Sequence, residues 1–527
     1  MNLVKIAGDR EKRGGRPLLT PLKARVAAGV LMGVLIAGQT LAFAWSPSSN
    51  NESPPARLRP AAYVEPAPAP APAPALAISL SADQLALLLK TLDAAPSHGF
   101  GPDEFATAPM AALLKSKNPQ SRRQGQDLLI AATLRYAQSV HAGRLAPADF
   151  LYEWGLRPPS YDPAPDFAQA VADGRLEPWL ASLPPPYPGY DNLRHSLEVY
   201  RSLADKGGWI PFVSDVDLKP GVTDPRVAVL RTRLSVEDSA VPTMPAALYD
   251  DGLTQAVMRA QKRYGLEPDG VAHKSLVAAL NVPVDERVQQ IIANMERWRW
   301  LPPQLPADRI QVNIAAAVLT VFQNDTPALS MRAVTGRPGD ETPMLQSEIR
   351  SIVLNPPWNV PSTIAAKELW PKEKAHPGYL ARNDYRVITS PDGSVRLQQR
   401  AGNKAALGHV KFDFDNKYGV YLHDTPSHGT FAKYSRMVSH GCVRLEKPVV
   451  LANALMAGDP RWTPEAIEGA ISDGDTVRAQ LPKGMAVFLF YWTAYAGPDG
   501  QTNFRGDPYG WDQALMARIA AGAHGAA

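Results

Sequence analysis

The hydrophobic period changes once along this chain, near Ile310, and that change governs what it can fold into. Upstream, apolar residues recur at helical spacing: Leu80, Leu85, Leu88, Leu89 and Leu92, then Leu128, Leu129, Ala132, Leu134 and Tyr136. Downstream, Ile310, Val312 and Ile314 alternate with polar or small residues, as in a half-buried strand. Further strands are predicted over 328–335, 345–354, 385–389, 394–399, 410–414, 418–422, 476–480 and 485–492, with a helix after Pro448. At about 150 residues per domain, 527 residues predict about three domains. The fold class expected is therefore multi-domain, α-helical first and mainly β (α+β) afterwards.

The N-terminus reads as an export element. Residues 1–25 carry seven Lys and Arg against Asp9 and Glu11, and an uncharged stretch of 19 residues follows, from Val26 to Ala44. As a helix this stretch is about 28 Å long, enough for a bilayer core of about 30 Å. Positive charge before it holds that end in the cytoplasm. Residues 26–44 are expected to anchor the chain in the inner membrane, or to act as a signal cleaved near Ala44. Either way the rest is periplasmic. Residues 45–76 form an Ala/Pro-rich spacer ending in Pro66-Ala-Pro-Ala-Pro-Ala-Pro-Ala-Pro74.

Residues 77–221 are expected to form a helical scaffold domain, with Ser81 capping its first helix. Residues 222–282 carry three apolar stripes: Val227, Leu230 and Leu234; then Leu253, Ala256, Val257, Ala260 and Tyr264; then Leu276, Leu280 and Val282. Tyr264-Gly-Leu266, Asp269-Gly270 and Leu280-Asn281 resemble the short peptidoglycan-binding repeat of cell-wall enzymes, with Ala272 and Ser275 departing from its usual Gly and Thr. The resemblance implies a three-helix unit that holds glycan strands and lifts out as an insertion. Residues 283–304 read as a connecting helix.

Charge excludes one class of partner. A net +4 spread over this length forms no basic stripe, so no nucleic-acid partner is expected. No His-Glu-x-x-His or comparable cluster occurs, so neither a metal nor another cofactor is expected.

The chain has one cysteine, Cys442, so no internal disulfide can form. Its surroundings are Tyr418-Gly-Val-Tyr-Leu-His-Asp-Thr-Pro426 and Val438-Ser-His-Gly-Cys-Val-Arg-Leu-Glu446. A free thiol ionises near pH 8.5, so a nucleophilic one needs a base or a cation beside it. His423, on a predicted strand 19 residues away, is the candidate, and as an imidazolium it would lower the thiol pKa.

Ser439-His-Gly-Cys-Val-Arg444, with Leu422-His-Asp-Thr-Pro426 upstream, resembles the signature of the L,D-transpeptidase (YkuD-like) catalytic domain. Met295 to Pro302, Tyr491-Trp-Thr-Ala494 and Asn503 to Gly510 resemble its large multi-domain branch. The resemblance spans about residues 78–515. It implies a catalytic domain over 305–495, with a lid inserted at about 356–408 and a tail at 496–527. It implies Cys442 as nucleophile, His423 as base, the Asp424 carbonyl as third member, and an oxyanion hole from the Gly441 and Cys442 amides helped by His440. Arg444 would hold the loop or bind a substrate carboxylate. Trp358 and Tyr379 would wall the cleft, and His428, His376 and His409 would stand aside from the chemistry. The reaction implied joins the third residues of peptidoglycan stem peptides through a thioester, releasing D-alanine. A hydrolase on the same scaffold, or a non-catalytic wall-binding scaffold protein, are the alternatives.

Overall fold

The computed structural model describes residues 78–241, 246–497 and 500–525. The predicted membrane segment and the Ala/Pro-rich spacer lie outside the described residues. Among the described residues no helix is long and apolar enough to cross a membrane.

The first described helix, Ala82–Asp93, starts where Ser81 predicts. The Gln84 amide donates to Ser81 Oγ at 3.2 Å, and the Ser81 amide donates to Gln84 Oε1 at 2.9 Å. This reciprocal box satisfies two amides that a helix start would otherwise leave free. Leu88 and Leu92 then pack with Leu129, Ile130, Tyr136 and Phe167 in a helical core of their own.

The three stripes at 222–282 become helices Pro225–Ser235, Asp251–Arg263 and Lys274–Leu280. They do not enclose a separate core. Their buried residues belong to one cluster that runs from Trp154 to Ile519. Buried Glu237 accepts from Tyr264 and from Tyr200 of the preceding scaffold helix, both at 2.6 Å, and pairs with Arg233 at 2.7 Å. Arg505 of the tail donates to the Arg263 carbonyl at 2.9 Å. The expectation that this unit lifts out cleanly is therefore corrected. Its removal would strip apolar cover from its neighbours and leave buried polar groups unpaired.

The helix expected as a connector, Val284–Trp298, is central instead. All its residues except Asp285, Glu286 and Gln289 are buried. Its Asn294 and Gln290 amides reach Thr493 beyond the sheet, and Arg299 just past its end pairs with Glu296 at 2.7 Å.

The strands are β1 (Arg309–Asn313), β2 (Val318–Gln323), β3 (Thr326–Gly336), β4 (Leu345–Leu354), β5 (Trp358–Asn359), β6 (Tyr385–Thr389), β7 (Val395–Gln399), β8 (Val410–Phe414), β9 (Leu422–His423), β10 (Met437–Ser439), β11 (Val443–Leu445), β12 (Val477–Phe490), β13 (Ala494–Ala496) and β14 (Thr502–Phe504). Nine form one sheet in the order β10-β3-β11-β9-β8-β4-β12-β1-β2, and β2 also pairs with β3, so the sheet closes on itself. A helix, Pro448–Met456, follows as expected.

Two expectations change in detail. The strand predicted over 418–422 shrinks to Leu422–His423, because the Asn416 side chain takes the backbone groups of Tyr418 and Val420 at 2.7–3.2 Å. The strands predicted at 476–480 and 485–492 are one, with a register shift between Gln480 and Met485. Pro482 has no amide for the ladder there.

The insertion at 356–408 carries a three-stranded sheet, β5-β7-β6, over a small core of Val360, Ala365, Leu369, Leu380 and Leu397. Its roots are fastened together. The Asn355 amide donates to the His409 carbonyl at 2.8 Å, and His409 Nδ1 lies 3.1 Å from Asn355 Oδ1.

Candidate active site

Strand register gathers the candidate residues on one face. β9 and β11 run parallel, with Leu422 opposite Val443 and His423 opposite Arg444. Successive residues of a strand point to opposite sides. Leu422, Val443, Leu445 and Phe412 are fully buried in the core. Tyr421, His423, Cys442 and Arg444 take the other side, joined by Lys411, which pairs with His423 across β8 and β9.

His423 Nδ1 lies 2.5 Å from the Asp424 main-chain oxygen. A carbonyl only accepts, so Nδ1 carries the proton and Nε2 keeps its lone pair. Burial lowers the His423 pKa to about 3, and the Arg444 and Lys411 charges push the same way against the Asp424 carbonyl. The imidazole is thus neutral at rest.

Burial pushes the Cys442 thiol up, opposed by hydrogen bonds from the Tyr421 amide and hydroxyl and by Lys411 and Arg444. The expectation of an imidazolium lowering the thiol pKa is not met, because burial and Arg444 keep His423 uncharged. Thiol and imidazole are therefore both neutral side by side on this face.

Tyr421 was missed by the sequence reading. Its hydroxyl bonds both Cys442 and Trp358, and burial raises its pKa far above the ordinary value, so it remains a donor. The signal was present: Tyr421 stands two residues before His423 on a strand and so shares its face.

The loop carrying the thiol is held from within. Ser439 Oγ donates to the Cys442 carbonyl at 2.6 Å and accepts from the Gly441 amide at 3.2 Å. Thr342 donates to the Gly441 carbonyl at 2.7 Å, and Gly441 has φ of 105°, which favours glycine. The Gly441 amide expected in the oxyanion hole is therefore occupied. The Cys442 amide has no protein acceptor among the described residues. His440 turns its Nε2 to Glu368 at 2.6 Å.

Arg444 forms no ion pair among the described residues, and its Nε is buried without a hydrogen-bond partner. No side-chain bond ties it to the loop, so the loop-holding role gains nothing, and a half-buried cation is left near the thiol. Asp424 has two tasks. Its carbonyl serves His423, while its carboxylate accepts from the His409 amide at 2.8 Å and the Thr425 amide at 2.7 Å. Gly408, beside this contact, admits no side chain: a Cβ would lie 2.3 Å from an Asp424 oxygen.

Trp358 reaches the site through Tyr421, whereas Tyr379 packs on the lid's own core. His428 is exposed on a 3-10 turn, His428–Ala432. His376 is exposed on the lid, and His409 serves the lid root.

Comparison with known proteins bears on this arrangement. Residues 307–463 match the family described as L,D-transpeptidase catalytic domain. Residues 78–197 match the scaffold domain family, and residues 223–280 the family described as "Putative peptidoglycan binding domain". The chain is 31% identical over 243 residues to a "Putative L,D-transpeptidase" of Haemophilus influenzae, covering 43% of this chain. It spans about half the length of that relative, 49%. Among solved structures it is similar to an L,D-transpeptidase from Mycobacterium smegmatis, at 18% identity and a TM-score of 0.19 over 35% of this chain and 58% of that one. It is also similar to an L,D-transpeptidase from Stackebrandtia nassauensis, at 14% identity and a TM-score of 0.20 over 54% and 97%.

Proposed function

We propose, on the premise that this chain carries the catalytic domain of the L,D-transpeptidases behind a scaffold domain and a peptidoglycan-binding domain, that it cross-links peptidoglycan stem peptides through a Cys442 thioester. The observation that carries this reading is the His423–Asp424 hydrogen bond. It leaves a neutral Nε2 lone pair on the face that also bears the thiol.

The steps follow from the residues. His423 Nε2 takes the Cys442 proton as sulfur attacks the carbonyl of the third residue of a tetrapeptide stem. Negative charge on the carbonyl oxygen is met by the free Cys442 amide and by the Tyr421 hydroxyl. The imidazolium returns its proton to the leaving amine, D-alanine departs, and the acyl group stays on sulfur. The side-chain amine of a second stem then attacks the thioester, gives its proton to His423, and restores the thiol. The unpaired Arg444 suits a carboxylate of the donor stem. The work site is the periplasm, reached through the N-terminal segment as anchor or signal.

Muropeptides from cells with and without the protein test the reading. Cross-links between third residues should appear with it and vanish without it. A product in which water has replaced the acceptor amine, even with acceptor stems in excess, would make the protein a hydrolase instead.

A further inference from the structure

The lid touches the catalytic loop through one carboxylate. Glu368 lies in a π-helical turn, Ala365–Leu369, a widened helix form that recurs at functional sites. Its Oε1 is 2.6 Å from His440 Nε2 and 3.7 Å from the Arg337 guanidinium. Arg337 in turn donates its main-chain amide to the Ser439 carbonyl at 3.0 Å and pairs with Asp340 at 2.7 Å. One carboxylate therefore contacts both His440 and Arg337, whose main-chain amide supports Ser439 at the start of the reactive loop.

The lid is packed as a small body of its own over this contact. Its apolar residues pack among themselves, and its roots at Asn355 and His409 are joined. The contacts that tie it to the catalytic residues are polar: Glu368 with His440 and Arg337, and Trp358 with Tyr421. Half-exposed polar contacts of this kind hold weakly and reform readily.

We propose that Glu368 is a positioning residue, which on lid closure takes the His440 ring and thereby fixes the main chain from His440 to Cys442 with the Cys442 amide free for the oxyanion. This rests on the transpeptidase reading of the site. Glu368 exchanges no proton. Its carboxylate holds the Nε2 proton of His440, which turns that ring away from the thiol and leaves His423 as the base. Closure over the donor stem and completion of the oxyanion hole then become one event, the arrangement expected of a lid that assembles its site.

The test uses the full chain and a carbapenem as acyl donor, following the adduct by intact-protein mass over a range of drug concentrations. Glu368→Ala should lower the maximal acylation rate at least tenfold, with the half-saturating concentration within threefold of wild type. Glu368→Asp should recover part of the rate, which a loss of mere bulk would not explain. In a His440→Asn background the same Glu368→Ala change should cost less than twofold, because its partner is already gone. Glu368→Gln, which keeps the shape, covers the case that the alanine variant fails to fold, and should fall between Ala and wild type. A wild-type maximal rate in Glu368→Ala or Glu368→Gln, or an equal loss in both backgrounds, would overturn the inference alone. A wild type that takes no adduct would overturn the proposed function and this inference with it.

Discussion

His423 donates its Nδ1 proton to the main-chain oxygen of Asp424 across 2.5 Å, while the Asp424 carboxylate holds the lid root at the His409 amide. The His423 ring is thus oriented by backbone and not by a side-chain carboxylate. Replacing the Asp424 side chain tests this division. Asp424→Asn should keep most of the acylation rate, since the carbonyl remains, but should loosen the lid root, read as faster amide exchange at His409. A loss of rate as large as that of a His423 variant would assign the carboxylate to the chemistry.

His423 and His428 should separate cleanly. His423→Ala is expected to lower acylation about 10²-fold or more, the range for a general base, and His428→Ala less than about tenfold. The buried strand position of one and the exposed turn of the other are the reason. The opposite ranking would exchange their roles.

The pH profile carries a further prediction. With the His423 pKa lowered to about 3 and the thiol raised, base and thiol are both neutral over the whole middle range. Wild-type acylation should be nearly flat from about pH 5 to pH 8, an interval between those two ionisations. In His423→Ala the only reactive form is the thiolate, so the residual rate should climb about tenfold per pH unit until the thiol ionises. Arg444→Met removes the charge that helps lower the histidine, so its acid limb should move toward higher pH. An acid limb near the ordinary histidine value of about 6.5 in wild type would contradict a neutral, buried base.

Stability should follow the same histidines. His98 is also lowered to about 3, first by burial and then by Arg194 and Arg299. Between about pH 6.5 and pH 3 the unfolded chain binds protons at both positions and the folded chain does not. Stability therefore falls as pH drops through that window, by about 1.4 kcal/mol per pH unit for each histidine. Replacing His98 with Gln should flatten the acid side of a denaturant-midpoint profile. An unchanged slope would place its titration elsewhere.

How much of this was legible in the sequence depends on range. Periodicity located β4, β6 and β8 to the residue, although only β8 alternates buried and half-buried positions throughout, while β4 ends in four consecutive buried residues. Ser81 was readable as a helix cap from residue type alone, whereas its reciprocal bond with Gln84 came with the structure. β2 was missed, although Leu319 and Val321 alternate with Val318 and Thr320, and the side-chain bonds of Asn416 that shorten β9 leave no periodic trace. In the site, Cys442 and His423 stood out by residue type and order. Glu368 did not, since a carboxylate in a Lys-rich stretch 72 residues from its partner looks like an ordinary surface charge until the lid is folded over it. The shared core around residues 222–282 was hidden too, because stripes announce that a helix is buried and not which neighbour covers it.

The most direct test of the central claim is the mass of the intact protein after exposure to a carbapenem, for the wild type and for Cys442→Ala. The thiol projects from a loop held by Ser439 and Thr342 main-chain contacts, so the variant should fold as the wild type does. The account predicts one drug adduct on the wild type and none on the variant, together with loss of third-to-third cross-links in muropeptides made by the variant. An adduct on Cys442→Ala, or cross-links still formed at more than a few per cent of the wild-type level, would contradict it.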